Sequence, residues 1–220
     1  MATTVEATRR EPAPAPVAPA RWYRDRARLL LAGIVLLAST ILVVWFIMAS
    51  GKRKEEFASR SLNQARAAAE AGNLPLASSE LQKLITAYRG TDAAHEAVIT
   101  LNQIRLINGQ NELAAAGLRE FLAANPPAQY ATPARGLLGA SLENSKRYAE
   151  AGQAYTEASN SADIEYLKAQ YLVDAGRAYR EGAKTDEAVR AYRTVVEKYP
   201  NSPSYTEAQV RLAELTDGKM

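Results

Sequence analysis

The chain has 220 residues, 47% of them hydrophobic, with a formal charge of +3 and no cysteine. Disulfides, thiolate metal centres, a cysteine nucleophile and a lipid-bearing cysteine are thereby excluded from these residues. The positive excess lies in residues 1–28 and in Lys52, Arg53 and Lys54, whereas residues 55–220 sum to −3, so no nucleic-acid partner is expected.

The first predicted element is a tail, residues 1–28. Its stretch "EPAPAPVAPA" favours extended polyproline II and cannot bury a core, so the tail is expected to be disordered. Residues 29–50, "LLLAGIVLLASTILVVWFIMAS", run for 22 positions without a charge. As a helix they would cover roughly 33 Å, against a hydrocarbon core of about 30 Å. A transmembrane helix is expected over 29–51. Trp45 near one end, and Trp22 and Tyr23 before the other, resemble interfacial anchors. A cleaved signal peptide has a shorter apolar region, about 7–15 residues, and a small-x-small cleavage site. Here Met48 occupies the −3 position for cleavage after Ser50, and "KRKEE" follows at once, so an uncleaved anchor is expected.

Arg21, Arg24, Arg26 and Arg28 precede the span, while Lys52, Arg53, Lys54 and Arg60 follow it, leaving the positive-inside count nearly balanced. An N-terminal anchor followed by one large domain reads, in a bacterium, as a single-pass inner-membrane protein. Its N-terminus is then expected in the cytoplasm and its domain in the periplasm.

Residues 52–220 repeat. Stepping back by 37 from Ala188 meets Ala151, Ala114 and Ala77 without a register adjustment. Four positions after each come Tyr192, Tyr155, Leu118 and Leu81; twelve before each come Gly176, Gly139, Asn102 and Ala65. A fixed period shared by several positions marks stacked supersecondary units. In the last copy the two helices are expected at roughly 164–181 and 186–199. Thr185 or Asp186 is the expected N-cap of the second helix, and Tyr199-Pro200 its stop. The turns between the two helices are expected at Gly72-Asn73, Gly109-Gln110, Asn144-Ser145 and Gly182. Gly176 and Ala188 are small so that the paired helices approach closely, with Tyr192 filling the adjacent gap. After the fourth copy, "SPSYTEAQVRLAEL" supplies one more helix as a cap. The expected fold is all-α: a transmembrane helix, then a solenoid of four helix-turn-helix repeats and a capping helix.

Ala169, Leu172, Ala175, Gly176, Tyr179, Ala188, Tyr192, Val195 and Pro200 resemble the signature of the tetratricopeptide repeat (TPR). The period exceeds the usual 34 residues by three, an excess expected in longer turns such as "NPPAQYATP" and "SNSAD". The resemblance implies a concave groove lined by the first helix of each unit. Carried over position by position, Arg66, Gln103, Asp174, Arg177 and Arg180 line that wall, with Ile99, Leu106 and Val173 between them. Such a mixture suits an extended peptide or a partner helix.

Site chemistry is sparse. His95 is the one histidine, at the start of a first helix, and a structural role is expected for it. No HExxH pattern exists, "SGKRKE" lacks the residues of a phosphate-binding loop, and "LGASLE" has Leu142 where a nucleophile elbow needs glycine. No enzyme, cofactor or metal site is expected.

The order of tail, single span and TPR-like domain, over roughly residues 22–220, resembles the bacterial ancillary subunit of the SecYEG translocon. That resemblance implies a non-enzymatic inner-membrane protein linking translocated polypeptides to periplasmic chaperones. Its partners would be translocon subunits, nascent or periplasmic polypeptides and chaperones, with residues 29–51 in lipid. Its juxtamembrane charges would face lipid headgroups or the channel. An alternative is an assembly scaffold for an envelope or respiratory complex, similar to TPR proteins of cytochrome maturation. The lipoprotein TPRs of outer-membrane assembly resemble the last repeat and its cap, but their lipidated cysteine has no counterpart here.

Overall fold

The computed structural model describes residues 21–218, with side chains from residue 28 onward. The chain divides into two units at Gly51 and Lys52. Of the expected disordered tail, residues 1–20 lie outside the described residues, and 21–28 belong to the first helix, α1 (Arg21–Glu70).

In the first unit every side chain from residue 28 to residue 48 is exposed. This stretch is apolar and long enough to cross a membrane. Its hydroxyls are satisfied within the helix. Ser39 Oγ and Thr40 Oγ1 both donate to the Leu36 carbonyl, at 2.9 and 2.8 Å, and Ser50 Oγ donates to the Ile47 carbonyl at 2.9 Å. Back-bonding of this kind lets a helix present no unsatisfied donor to hydrocarbon.

The second unit opens with the remainder of α1. It continues through α2 (Leu74–Ala87), α3 (Asp92–Ile107), α4 (Asn111–Ala123), α5 (Ala128–Asn144), α6 (Tyr148–Ser161), α7 (Glu165–Glu181), α8 (Thr185–Lys198) and α9 (Tyr205–Thr216). No strand occurs among the described residues. Consecutive helices pack as hairpins, and first helices also pack on one another, α3 on α5 and α7 on α9. This is the expected TPR-like solenoid of four helix pairs and a cap. Its interior comprises three successive apolar clusters: around α1–α3, around α4–α8, and around α7–α9.

The period read from the sequence is the period of burial. Ala77, Ala114, Ala151 and Ala188 are each 0% exposed, which leaves no room at the hairpin contact for a larger side chain. Twelve positions upstream, the small residue meets the large one. A Cβ added to Gly176 would lie 2.6 Å from the Tyr192 ring, and one added to Gly139 would lie 2.7 Å from the Tyr155 ring. Where the upstream residue is Ala65 or Asn102, its counterpart is leucine, Leu81 or Leu118. In the first, third and fourth repeats a smaller upstream residue goes with a larger ring or side chain downstream, as close packing requires; the second, with Asn102, departs from this.

The hairpin turns repeat in finer detail than expected. The left-handed residue is Gly72 (φ 78°), Gly109 (φ 71°), Lys146 (φ 60°) and Ala183 (φ 56°), again 37 residues apart. After each, an amide bonds back to the carbonyl five residues earlier: Asn73 to Ala68 at 2.9 Å, and Gln110 to Arg105, Arg147 to Leu142 and Lys184 to Tyr179 at 2.8 Å each. These are four Schellman caps. Ser145 and Gly182 open their turns as expected, and the left-handed residue within each is the lysine or alanine that follows. A non-glycine residue there costs about 1–2 kcal/mol. Ala183→Gly and Lys146→Gly are each expected to stabilise the protein by about 0.5–1 kcal/mol in chemical denaturation, because relief of strain outweighs the added freedom of the unfolded chain.

Two expectations are corrected. The N-cap of α8 is Lys184, with no side-chain cap bond; Thr185 and Asp186 lie in the first turn, where Asp186 and Glu187 favour the positive helix end. The three extra residues of the period are not in the turns. "AQYATP" opens α5, with Pro133 inside the helix, and "SNS" closes α6, so the linkers shrink to 124–127 and 162–164. Pro133 is tolerated because the carbonyl it leaves without a helical bond belongs to exposed Gln129.

Part of the charge that follows the apolar stretch is engaged inside the repeat domain. Glu55 accepts the backbone N–H groups of Asp92 and Ala93 at 2.9 and 3.0 Å, and Thr91 Oγ1 accepts that of Ala94 at 3.1 Å. Three otherwise unpaired donors of α3 are thus satisfied, one helix supplying the carboxylate for the next. Lys54 Nζ donates to the Arg89 carbonyl at 2.9 Å.

Candidate partner-binding surface

The wall formed by the first helices is built from repeat positions that share a face. Arg66, Gln103 and Arg177 occupy one row; Leu106, Glu143 and Arg180 occupy another. A third row holds Leu62, Ile99, Gly136 and Val173, and it is where each first helix meets the next. A Cβ on Gly136 would lie 2.6 Å from the Tyr171 ring of the following unit. Val173 is 1% exposed, in the cluster that contains Ala208 and Leu212 of α9. The expectation that Val173 lines the groove is thus corrected: stacking on the cap buries it. Ile99 and Leu106 are half-buried and Gln103 is exposed on one face of α3.

The arginines of the wall are paired with carboxylates. Arg66 Nη2 meets Glu96 Oε2 at 2.7 Å, joining α1 to α3. Arg177 grips Glu143 of α5 with two bonds, Nε to Oε1 at 2.9 Å and Nη2 to Oε2 at 3.1 Å, while Nη1 donates to Asp174 Oδ1 at 2.8 Å. Arg180 lies 3.1 Å from Glu181 and 3.7 Å from Glu214 of the cap. The Tyr155 hydroxyl donates to Glu143 Oε2 at 2.9 Å, tying a third helix, α6, into the network. Sequence reading missed Glu143. Its signal was available, since it stands in the row of Leu106 and Arg180, one period before the latter.

Burial raises the Glu143 carboxyl, but the hydrogen bonds and charge of Arg177, with the Tyr155 hydroxyl, outweigh it, so its pKa falls below the ordinary value. Asp174 goes the other way: burial raises it more than Arg177 lowers it. Burial, together with the adjacent Glu143 carboxylate, raises Tyr155 well above the ordinary tyrosine range, so its hydroxyl stays a donor. The arrangement fixes side chains and can hold a peptide by hydrogen bonds and apolar contact. Among the described residues there is no cluster of His, Asp or Glu that could hold a metal ion. His95 packs between the rings of Phe121 and Tyr130, at centroid distances of 5.8 and 5.1 Å.

Serial hairpins with a continuous first-helix wall define a helical-repeat protein of TPR type. The chain belongs to the YfiO family, described as outer membrane lipoproteins, whose profile it matches over residues 55–218. The match takes in the whole run of repeats and the cap, more than the last repeat and cap on which the sequence resemblance rested. It supports a TPR-like envelope protein. No curated protein matches the chain.

Proposed function

We propose that this protein is a membrane-anchored envelope scaffold. Residues 29–51 cross the bilayer once, and the repeat domain of residues 52–220, extracytoplasmic in orientation, holds protein partners in its first-helix groove. The observation that carries the reading is the exposed apolar helix of residues 29–48, directly ahead of a repeat domain whose family is described as lipoproteins. With no cysteine in the chain, an apolar helix does the anchoring that a lipid would do. Family membership supports protein partners in the envelope as the common denominator, and a scaffold rather than a catalyst.

The finer reading is an ancillary role beside the Sec translocon of the inner membrane, passing translocated polypeptides to periplasmic chaperones. It rests on the single span followed by TPR-like repeats. The groove residues that remain available to a partner are Ile99, Gln103 and Leu106, flanked by the paired Arg66, Asp174, Arg177 and Arg180.

Two measurements test this. A C-terminal reporter that is active only outside the cytoplasm is expected to be active, and the protein to sediment with inner membranes. An expressed but silent fusion, or outer-membrane sedimentation, overturns the topology. A photo-crosslinker at Gln103 is expected to capture translocon subunits or polypeptides in transit. Recovery of a cytochrome-maturation complex instead would select the assembly-scaffold reading.

A further inference from the structure

Because the units repeat, equivalent clefts between second helices can be compared within one chain. One cleft lies between α6 and α8 over α7, lined by Thr156, Leu172, Tyr179 and Ala191. Its sister lies between α2 and α4 over α3, where Gln82, Val98, Arg105 and Gly117 hold the same repeat positions. The first has a volume of about 190 Å³ and the second about 410 Å³. The larger value falls in the range of small-molecule sites, which are mainly apolar with a few convergent polar groups.

Three departures from the repeat pattern change this cleft, and all three line it. Asn102 stands where the later repeats have Gly139 and Gly176. Arg105 stands where they have Leu142 and Tyr179, and His95 where they have Thr132 and Ala169. At each position a nitrogen-bearing side chain replaces one without nitrogen, and Asn102 and His95 are also larger than their counterparts. A repeat that needed only to stack would not require any of them.

Their partners leave a defined vacancy of charge. Asn102 is 1% exposed; its Nδ2 donates to the Val98 carbonyl at 2.8 Å and its Oδ1 accepts from Arg105 Nη1 at 3.0 Å. Arg105 Nη2 reaches only Gln82 Oε1, at 3.5 Å. Among the described residues no carboxylate forms an ion pair with Arg105, whereas Arg66, Arg119, Arg147, Arg177 and Arg180 all have one. Burial lowers the pKa of Arg105, the mark of a guanidinium short of a counter-charge. His95 Nδ1 is buried without a hydrogen-bond partner. Arg89 adds a second cation to the lining, and Glu120, which also lines the cleft, forms no ion pair with either arginine among the described residues.

We propose that this cleft binds a small organic carboxylate with an apolar body. The planar fork of Arg105, oriented by Asn102, matches a carboxylate. Ile85, Leu101 and Phe121 supply hydrocarbon for the body of the ligand, which a bare inorganic anion would leave uncovered. The site lies away from the first-helix wall, so it stands or falls independently of the groove.

The test uses the full chain, labelled with ¹⁵N-glycine, in lipid nanodiscs and titrated with 3-phenylpropionate. Gly90 and Gly117, which line the cleft, are expected to shift saturably while Gly152 and Gly176 stay still. Arg105→Met keeps the aliphatic stem and is expected to weaken the titration roughly tenfold or more, as loss of a charge-assisted hydrogen bond does. Unmodified protein titrated with 3-phenylpropanol, which has the same body without charge, is expected to be weakened to the same degree, and needs no variant to fold. Absence of a saturable shift at about 20 mM ligand, equal binding of the alcohol, or unaltered binding by a folded Arg105→Met protein each overturns the proposal.

Discussion

Gly176→Ala is expected to lower the stability of the repeat domain by about 2 kcal/mol, where the same change in an exposed helix interior would add up to about 1 kcal/mol. The reversal comes from the Tyr192 ring, which would stand 2.6 Å from the new methyl group. Tyr192 is 1% exposed and packed among Ala188, Val195 and Leu212, so the ring has nowhere to retreat. The first repeat already contains the compensated version, Ala65 with Leu81, both 0% exposed. Gly176→Ala combined with Tyr192→Leu should therefore be less damaged than the sum of the two single variants, by about 1 kcal/mol of coupling. Urea denaturation of the four proteins measures it. Strict additivity would mean that the two positions do not compensate each other's volume.

Arg177→Met is expected to cost about 2–3 kcal/mol, toward the low side of broken buried pairs because the guanidinium is 40% exposed. The loss is not mainly that of the ion pair. Glu143 and Asp174, only 19% and 17% exposed, would be left facing each other without their shared cation. The pH dependence separates this from a packing defect. In the unmodified protein Glu143 has a depressed pKa, so its contribution is complete above the ordinary carboxylate pKa and is lost as pH falls through its own lower value. Asp174, with a raised pKa, opposes it, becoming less unfavourable as pH falls. Without Arg177 both carboxyls have raised pKa values, and acidification from neutral pH should narrow the deficit of the variant. A deficit independent of pH between neutrality and about 4 would assign the loss to the aliphatic stem. Glu143→Gln in the same background should relieve part of the cost.

The repeat was legible because its strictest positions are those with least room. Ala77, Ala114, Ala151 and Ala188 admit nothing larger, so the period survives where surface residues have diverged. The hairpin turns were less legible at Lys146 and Ala183, because a chain can force a lysine or alanine into a left-handed conformation when the Schellman bonds and the packed helices hold it there. "NPPAQYATP" reads as a turn from its prolines, yet Tyr130 and Ala131 belong in the interior, and their burial pulls "AQYATP" into α5. Row periodicity groups Arg66, Gln103 and Arg177 on one face of the first helices and sets Arg180 in the next row, but a linear pattern does not show which cations neighbouring helices neutralise. Arg105 and Asn102 look, in sequence, like a degenerate repeat. Only the folded cleft shows that the degeneracies converge.

The helix α9 has a consequence for self-association. Stacking along the row of Leu62, Ile99, Gly136 and Val173 has no built-in stop, since each unit offers the next the same seam. By covering Val173 with Ala208 and Leu212, and carrying Arg211 with the exposed Glu214, which pairs with Arg211 at 3.1 Å and with Arg180 at 3.7 Å, α9 gives that seam a charged lid. Stripped of it, the last repeat would present an adhesive edge to other copies, and filament growth rather than simple unfolding would be the hazard.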